Sequence, residues 1–186
     1  DFVEVQWSDI ASTTAATRIA LEAAGYETNS NIVSVPIAFQ SLETGDVDIF
    51  LGDWEPSMSS YTKELLAEGK IVDHAVNLTG AKYTLAVPTY VAEGGIESFG
   101  DIAEYGEELD YKIYGIEPGN DGNLLIQNMI DTDAFGLGDF ELIASSEAGM
   151  LAQVRAMQPK EEWIVFLGWE PHPMNTVFDL TYLKGG

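Results

Sequence analysis

VDIFLGDWEP, at positions 47–56, joins a short apolar run to a glycine, acidic residues, a tryptophan and a proline. An apolar run of this length, bounded by Gly and Pro, is typical of a buried β-strand that ends in a loop. The same arrangement recurs in IVFLGWEPHP at 164–173. Related patterns occur in VEVQWSD at 3–9 and KIYGIEPGNDGN at 112–123. The sequence therefore predicts several buried strands that are followed directly by aromatic and polar side chains.

Helical patterns alternate with these strands along the chain. We predict helices at 13–24, 59–68, 123–130 and 147–157, and further strands at 71–76 and 81–87. Strands that alternate with helices at this spacing indicate an α/β fold with mainly parallel sheets. Because Pro88 and the Gly94-Gly95 pair interrupt the pattern, we place a boundary there and predict two lobes, 1–87 and 88–186.

The composition excludes several classes of function. Thirty-one acidic residues against 8 basic ones give a net charge of -23, and such a surface repels nucleic acid. The absence of cysteine excludes disulfides, thiolate metal sites and cysteine nucleophiles. Two histidines are too few for a histidine-rich zinc site, so we predict neither a metal nor a cofactor. The chain begins at Asp1, as expected of a mature chain without its targeting segment, and equally of a chain cut for other reasons.

Three tryptophans occupy equivalent positions at the ends of predicted strands: Trp7, Trp54 and Trp169. In open α/β sheets, ligands bind beyond the carboxyl ends of the strands. A single Trp in such a loop is readily explained as a core anchor, but three at equivalent positions favour a binding site. Tryptophan faces are the best partners for a cation that cannot donate hydrogen bonds. The pattern therefore predicts a site for a quaternary ammonium compound, whereas Trp163 begins a strand and is assigned a structural role.

The sequence resembles the substrate-binding proteins of ABC importers for choline and glycine betaine, in particular the choline-binding group. The segments that carry this resemblance are WSDI at 7–10, VDIFLGDWEP at 47–56, AKYTLAVP at 81–88, KIYGIEPGNDGN at 112–123, SSEAGMLAQV at 145–154 and IVFLGWEPHPMN at 164–175. The resemblance implies a type II periplasmic-binding-protein fold, in which two lobes close over a ligand cleft. Members of the group continue beyond YLKGG with a C-terminal segment that returns to the first lobe. The resemblance thus implies that the first lobe, 1–87, is incomplete and incompletely covered.

The resemblance also implies the residues of the site. The aromatic cage of the choline-binding group falls on Trp7, Trp54, Tyr83 and Trp169, and its contacts to the ligand hydroxyl fall on Asp9 and Asn120. We expect three further residues to contact these binding residues without touching the ligand: Asp53, Asp121 and His172. The implied ligand is choline, with glycine betaine, acetylcholine and carnitine as alternatives. The implied partner is an ABC importer permease, and the implied location is periplasmic or otherwise extracytoplasmic.

Asp9 is the residue that favours choline among these ligands. A carboxylate beside the cage complements the cation and accepts a hydrogen bond from the choline hydroxyl. The same carboxylate would repel the carboxylate of glycine betaine or carnitine. An alternative assignment makes Asp9 the N-cap of the predicted helix 13–24, because Asp and Ser favour helix starts.

Two other functions are compatible with parts of the pattern. A glycoside hydrolase would use tryptophans as sugar platforms and draw its acid and base from four carboxylates: Asp9, Glu55, Glu117 and Glu170. This alternative is disfavoured because the sequence supplies no carboxylate pair at a defined separation. A sensory domain of a larger membrane protein would bind the same ligand but transmit a signal. We predict a binding protein without catalysis.

Overall fold

The strand patterns that precede Trp7 and Trp54 become neighbouring strands of one sheet in the computed structural model, which describes residues Asp1–Gly186 throughout. The chain divides into two compact units, Asp1–Thr79 and Gly80–Gly186. The elements of the first unit are β1 (Phe2–Glu4), α1 (Ser8–Ala23), β2 (Ser30–Ile32), α2 (Val35–Thr44), β3 (Ile49–Phe50) and α3 (Ser59–Ala67).

The sheet of the first unit is entirely parallel, with the strand order β2-β1-β3. The carboxyl ends of β1 and β3 therefore lie at the same edge, and the chain continues from them towards Trp7 and Trp54. Small and β-branched side chains form the core beneath this sheet: Val3, Ala38 and Val47, with Val33, Leu42 and Phe50 packed against them. Phe39 extends this core, because its ring contacts those of Phe50 and Tyr61.

Helix α1 begins at Ser8, five residues before the predicted start. Its first turns contain Ser and Thr, whose hydroxyls donate to carbonyls one turn earlier, as Ser12 does to Ser8 O at 2.8 Å and Thr13 to Asp9 O at 2.9 Å. These bonds satisfy the hydroxyls within the helix. Trp7 takes the N-cap position and Asp9 lies in the first turn, so the assignment of Asp9 as an N-cap is wrong.

Residues 71–81 contain no strand, so the strand predicted at 71–76 is wrong. Val72 and Val76 supply β-branched side chains there, but they are 81% and 73% exposed. A strand is stabilised by neighbours that cover its side chains, and this segment packs too little to gain that burial. Other large apolar side chains of the first unit are also exposed, including Ile19 and Ile32. Incomplete coverage of the first lobe stays a prediction.

The second unit is built on a five-stranded sheet with the order β6-β5-β7-β4-β8. Its elements are β4 (Lys82–Pro88), α4 (Thr89–Glu93), β5 (Lys112–Tyr114), α5 (Asp121–Asp131), β6 (Glu141–Ile143), α6 (Glu147–Met157), β7 (Val165–Glu170), α7 (Met174–Val177) and β8 (Leu180–Tyr182). Strands β5, β6 and β7 are parallel, whereas β4 is antiparallel to both β7 and β8. The α/β class is confirmed, with a mixed rather than mainly parallel sheet in this unit.

Strand β4 belongs to the second unit, although a boundary after residue 87 would assign it to the first lobe. It is paired along both edges, since Lys82–Ala86 face Phe166–Glu170 of β7 and Ala86–Pro88 face Leu180–Tyr182 of β8. These ladders hold β4 inside the second sheet, so the chain divides between Thr79 and Gly80. No helix in the protein combines the length and the apolar character needed to cross a membrane.

Candidate functional site

Tyr83 and Trp169 face each other across β4 and β7. They are directly paired in the antiparallel ladder, and paired residues project their side chains from the same face of a sheet. Their ring centroids are 6.2 Å apart and their planes meet at 88°. Trp169 is buried and Tyr83 is half-buried. Two of the predicted cage residues therefore form a right-angled aromatic corner on one face of the sheet.

Asn120 fixes the orientation of the Tyr83 ring. The Tyr83 hydroxyl donates to Asn120 Oδ1 at 2.8 Å, and the same oxygen caps α5 by accepting the Asn123 backbone N–H at 3.2 Å. Asn120 Nδ2 donates to Asp121 Oδ1 at 3.1 Å. These bonds use the amide oxygen twice and one amide hydrogen. What Asn120 can offer a ligand oxygen is its second amide hydrogen, so it is suited to act as a donor.

The surroundings of Tyr83 are strongly negative. Burial raises the pKa of the Tyr83 hydroxyl well above its ordinary value, and the negative charges of Asp121 and Glu117 raise it further. The phenol therefore keeps its proton and remains a donor to Asn120. The charges that oppose formation of a phenolate attract a cation at the same place. This end of the sheet is electrostatically suited to a positively charged ligand.

Gly122 allows the helix start to approach Tyr83. It lies in the first turn of α5, directly beside the Tyr83 hydroxyl. A Cβ atom at position 122 would lie 2.0 Å from the Tyr83 oxygen and 2.6 Å from the adjoining ring carbon. Only glycine fits between this turn and the ring.

Asn123 joins α5 to the loop that carries Asn120. Its Oδ1 accepts the Ile116 backbone N–H at 3.0 Å, and its Nδ2 donates to Ile116 O at 3.0 Å and Glu117 O at 3.1 Å. Asn123 is buried, so these bonds form away from water. They fix the chain between the end of β5 and the start of α5, and so set the position of Asn120.

Trp169 is supported from the loop that follows β7. The His172 ring packs against the Trp169 ring with centroids 4.7 Å apart. Asn175 Nδ2 donates to Trp169 O at 2.8 Å and to His172 O at 3.0 Å, and Tyr182 donates its hydroxyl to Asn175 Oδ1 at 2.8 Å. Partial burial raises the pKa of Tyr182 to about 12, so this hydroxyl also remains a donor.

In the first unit, Trp7 and Asp9 lie where the chain passes from β1 into α1. Trp7 is buried, with 5% of its surface exposed, and its carbonyl accepts the Ala11 N–H at 2.9 Å as α1 begins. Asp9 is half-buried in the first turn, and its Oδ1 is shielded from solvent. A helix N-terminus stabilises a carboxylate, so Asp9 can remain charged there.

Trp54 lies in a tight turn between β3 and α3. Its backbone N–H donates to Met58 Sδ at 3.4 Å, and its carbonyl accepts the Met58 N–H at 3.0 Å and the Ser57 hydroxyl at 2.8 Å. Met58 is fully buried, so the turn is anchored to the core while the indole is only half-buried. Asp53 is exposed beside it.

Two carboxylates of the glycosidase alternative are engaged in local structure. Glu55 accepts the hydroxyls of Thr62 at 2.5 Å and Ser59 at 2.7 Å, which ties the turn to α3. Glu170 lies 3.2 Å from Lys82 Nζ across the β4–β7 ladder. These contacts explain both residues without catalysis.

The structure brings together the predicted residues of the second unit, namely Tyr83, Asn120, Asp121, Trp169 and His172. It places Trp7, Asp9, Asp53 and Trp54 at the carboxyl edge of the first sheet. Sequence reasoning missed the residues that hold this arrangement: Gly122, Asn123, Glu147 and Asn175. A polar residue just inside a helix start, as in GNDGN and SSEAGM, was the available signal for Asn123 and Glu147.

A family model described as the substrate binding domain of ABC-type glycine betaine transport systems matches residues 2–186. An uncharacterised protein, ORF1, of Chromohalobacter salexigens is 48% identical over 124 residues, which are 67% of this chain and 80% of that protein.

Two solved structures are similar over the whole chain. An ABC-transporter choline binding protein in complex with choline has a TM-score of 0.94 and 51% identity, covering 100% of this chain and 64% of its own. The closed, glycine betaine-bound form of lactococcal OpuAC has a TM-score of 0.85 and 26% identity, covering 100% of this chain and 70% of its own. The resemblance and the periplasmic-binding-protein fold are confirmed. The chain spans 64% of the length of the choline-binding structure.

Proposed function

The chain belongs to the family of substrate-binding domains of ABC-type glycine betaine transport systems, and we propose from this premise that it captures choline for delivery to an importer. One of the similar solved structures is a complex with choline, and another is a complex with glycine betaine. Selectivity between choline, a cation, and glycine betaine, a zwitterion, must therefore come from the residues of the site.

The observation that carries the proposal is the corner of Tyr83 and Trp169 in its negative surroundings. A trimethylammonium group has no hydrogen to donate, so carboxylates alone cannot replace its lost hydration. Perpendicular ring faces can contact its rounded methyl surface on two sides, and each desolvated face contributes about 2 kcal/mol. The nearby charges of Asp121 and Glu117 add long-range attraction.

We propose that Trp7 and Trp54 complete this cage from the first unit. Both follow neighbouring parallel strands and so belong to one edge of that sheet. Asp9 is on the same strand-to-helix junction as Trp7, and we propose that its carboxylate accepts the choline hydroxyl. Asn120 would donate its second amide hydrogen to the same ligand oxygen. Asp9 thereby favours choline over the carboxylate-bearing glycine betaine and carnitine.

The proposed partner is the permease of an ABC importer, and the proposed location is extracytoplasmic. Both follow from the family. The domain would act by binding alone, because the ligand contacts proposed above include no nucleophile or paired acid and base.

Calorimetric titration with matched ligands tests the proposal. We expect choline to bind at least about 100-fold more tightly than 3,3-dimethylbutan-1-ol, which has the same shape without the charge, because two ring faces alone supply this difference. Ethanolamine keeps the charge and hydroxyl but lacks the methyl groups, and should also bind weakly.

The zwitterions complete the panel. Glycine betaine and carnitine should bind more weakly than choline. The affinity for acetylcholine measures how much space the site leaves beyond the choline oxygen, because this ligand carries an acetyl group there. Equal affinity for choline and its uncharged isostere would refute an aromatic cation site. Tighter binding of glycine betaine than of choline would instead refute the proposed role of Asp9.

A further inference from the structure

Glu147 and His172 form a buried pair behind Trp169. The side chains of His172 and Glu147 are only 3% and 9% exposed, and His172 Nε2 lies 3.1 Å from Glu147 Oε1. The His172 ring lies against Trp169, with centroids 4.7 Å apart and planes inclined by 60°. A carboxylate, an imidazole and an indole are therefore in consecutive contact within the second unit.

The backbone determines where His172 carries its proton. The Met174 N–H donates to His172 Nδ1 at 2.9 Å, so Nδ1 must keep its lone pair. In the neutral ring the proton then lies on Nε2, the nitrogen beside Glu147. The Glu147 carboxylate does not lie along the direction of the Nε2–H bond. The contact is therefore electrostatic rather than a well-aligned hydrogen bond. The Met174 N–H thus fixes the ring at Nδ1, and Glu147 contacts it at Nε2.

Glu147 is held on an element separate from Trp169. It lies in the first turn of α6, where Ser146 caps the helix by accepting the Gly149 N–H at 3.0 Å. The positive end of the helix dipole stabilises a carboxylate at this position, which helps a buried glutamate to remain charged. Trp169 lies at the end of β7, and His172 lies in the loop that connects β7 to α7.

We infer that Glu147 is a positioning residue for the cation site, acting through His172 on Trp169. His172 fills the space behind the indole, and Glu147 prevents the imidazole from turning. The effect on binding rests on the proposed function, whereas the effect on Trp169 orientation does not.

Fluorine NMR of protein labelled with 5-fluorotryptophan tests the orientation of Trp169 without any ligand. The chain has four tryptophans, so single Trp→Phe variants assign the four resonances. In Glu147→Gln, and in His172→Asn, we expect the Trp169 resonance to shift or broaden while that of Trp163 stays unchanged. Asn at 172 can still accept the Met174 N–H, but it lacks the ring that contacts Trp169.

Glu170→Gln is the matched control. It removes a carboxylate adjacent to Trp169 in the chain, but Glu170 is half-exposed and pairs with Lys82 rather than with His172. We expect its Trp169 resonance to match that of the parent protein. A Trp169 resonance unchanged in Glu147→Gln overturns the inference, whether or not choline binds.

A double-mutant cycle tests whether Glu147 affects choline binding through Trp169. We expect Glu147→Gln to weaken choline binding about fivefold in the parent protein and to have little effect when Trp169 is replaced by Leu. An equal loss in both backgrounds would show that Glu147 acts without Trp169, and would overturn the inference. If the parent protein binds no quaternary ammonium compound, the proposed function fails, and the NMR comparison still decides the positioning role.

Discussion

At the scale of single residues, the site depends on the contacts of the Tyr83 hydroxyl. Tyr83 donates to Asn120, Asn120 caps α5, and Gly122 leaves room for the phenol beside the helix. Each of these contacts fixes the angle between the Tyr83 and Trp169 rings. Changes far smaller than removal of an aromatic ring should therefore impair ligand binding.

Gly122→Ala should weaken choline binding about tenfold, because overpacking typically costs about 1–3 kcal/mol and here it displaces the Tyr83 ring. The melting temperature should change little, since alanine also favours the helix by about 1 kcal/mol. Titration calorimetry and thermal unfolding measure the two effects. Gly100→Ala is the control, because its Cβ would meet nothing closer than 3.7 Å. Unchanged affinity in Gly122→Ala would show that the ring position is unimportant.

Asp9→Asn should weaken choline binding by about 1.5–3 kcal/mol, the usual contribution of a hydrogen bond to a charged group. Glycine betaine should lose less affinity, or gain some, because its carboxylate is no longer repelled. Parallel calorimetric titrations of the two ligands measure the difference. The exposed Asp73→Asn serves as a control of equal charge change. Equal losses for both ligands would mean that Asp9 shapes the loop rather than selecting the ligand.

Residue types were the most predictable part of the site. Trp7, Trp54 and Trp169 are visible in the sequence because large rings directly after strand patterns are unusual. Glu147 is visible as a polar residue at a helix start, but its contact with His172 was not predictable, since the two are distant in the chain and meet only where α6 packs against the β7 loop. Contacts that join separate elements leave no local pattern.

At the scale of elements, the loop between β5 and α5 is the piece that positions Asn120. Asn123 makes three side-chain hydrogen bonds to Ile116 and Glu117. This anchoring explains how a loop of polar residues and glycine can present a side chain in one orientation.

Asn123→Ala should lower the free energy of unfolding by about 2–4 kcal/mol, because it removes these bonds and leaves the Ile116 backbone groups without their partners. Chemical denaturation measures this loss. Asn128→Ala, at an exposed position of the same helix, should have a much smaller effect. A stability loss in Asn123→Ala no greater than that of the control would mean that the loop is held by its other contacts.

The alternation of strands and helices was predictable from local pattern, but strand direction was not. VDIFL and IVFLG alternate with helical segments, which favours parallel strands. Strand β4 is antiparallel because it returns along β7 and β8, and nothing within AKYTLAVP specifies that direction. The strand predicted at 71–76 has the right residues but lacks packing partners, so propensity alone was misleading there.

At the scale of the whole molecule, alkaline pH should lower the stability of the fold through its buried tyrosine hydroxyls. The folded protein keeps the Tyr182 proton up to a pKa of about 12, whereas the unfolded chain loses it near the ordinary value of about 10. Stability is therefore complete below about pH 10 and declines as the pH rises towards 12. Tyr83, whose pKa is also raised, contributes in the same direction.

Chemical denaturation between about pH 9 and 12 checks this expectation. This pH range runs from just below the ordinary tyrosine pKa to the raised pKa of Tyr182. Tyr182→Phe should flatten the decline, although its stability at neutral pH should fall slightly through loss of the bond to Asn175. Tyr26→Phe is the control, because Tyr26 is 65% exposed. A decline of the same slope in Tyr182→Phe and in the parent protein would contradict the assignment.

We propose that four aromatic rings surround one quaternary ammonium group, and a crystal structure with choline bound is the decisive measurement. We predict that the choline nitrogen lies within about 6 Å of the ring centroids of Trp7, Trp54, Tyr83 and Trp169. The choline hydroxyl should lie within hydrogen-bonding distance of Asp9 and Asn120. Choline bound away from Tyr83 and Trp169, or contacted by them while Trp7 and Trp54 remain in hydrophobic cores, would contradict the claim.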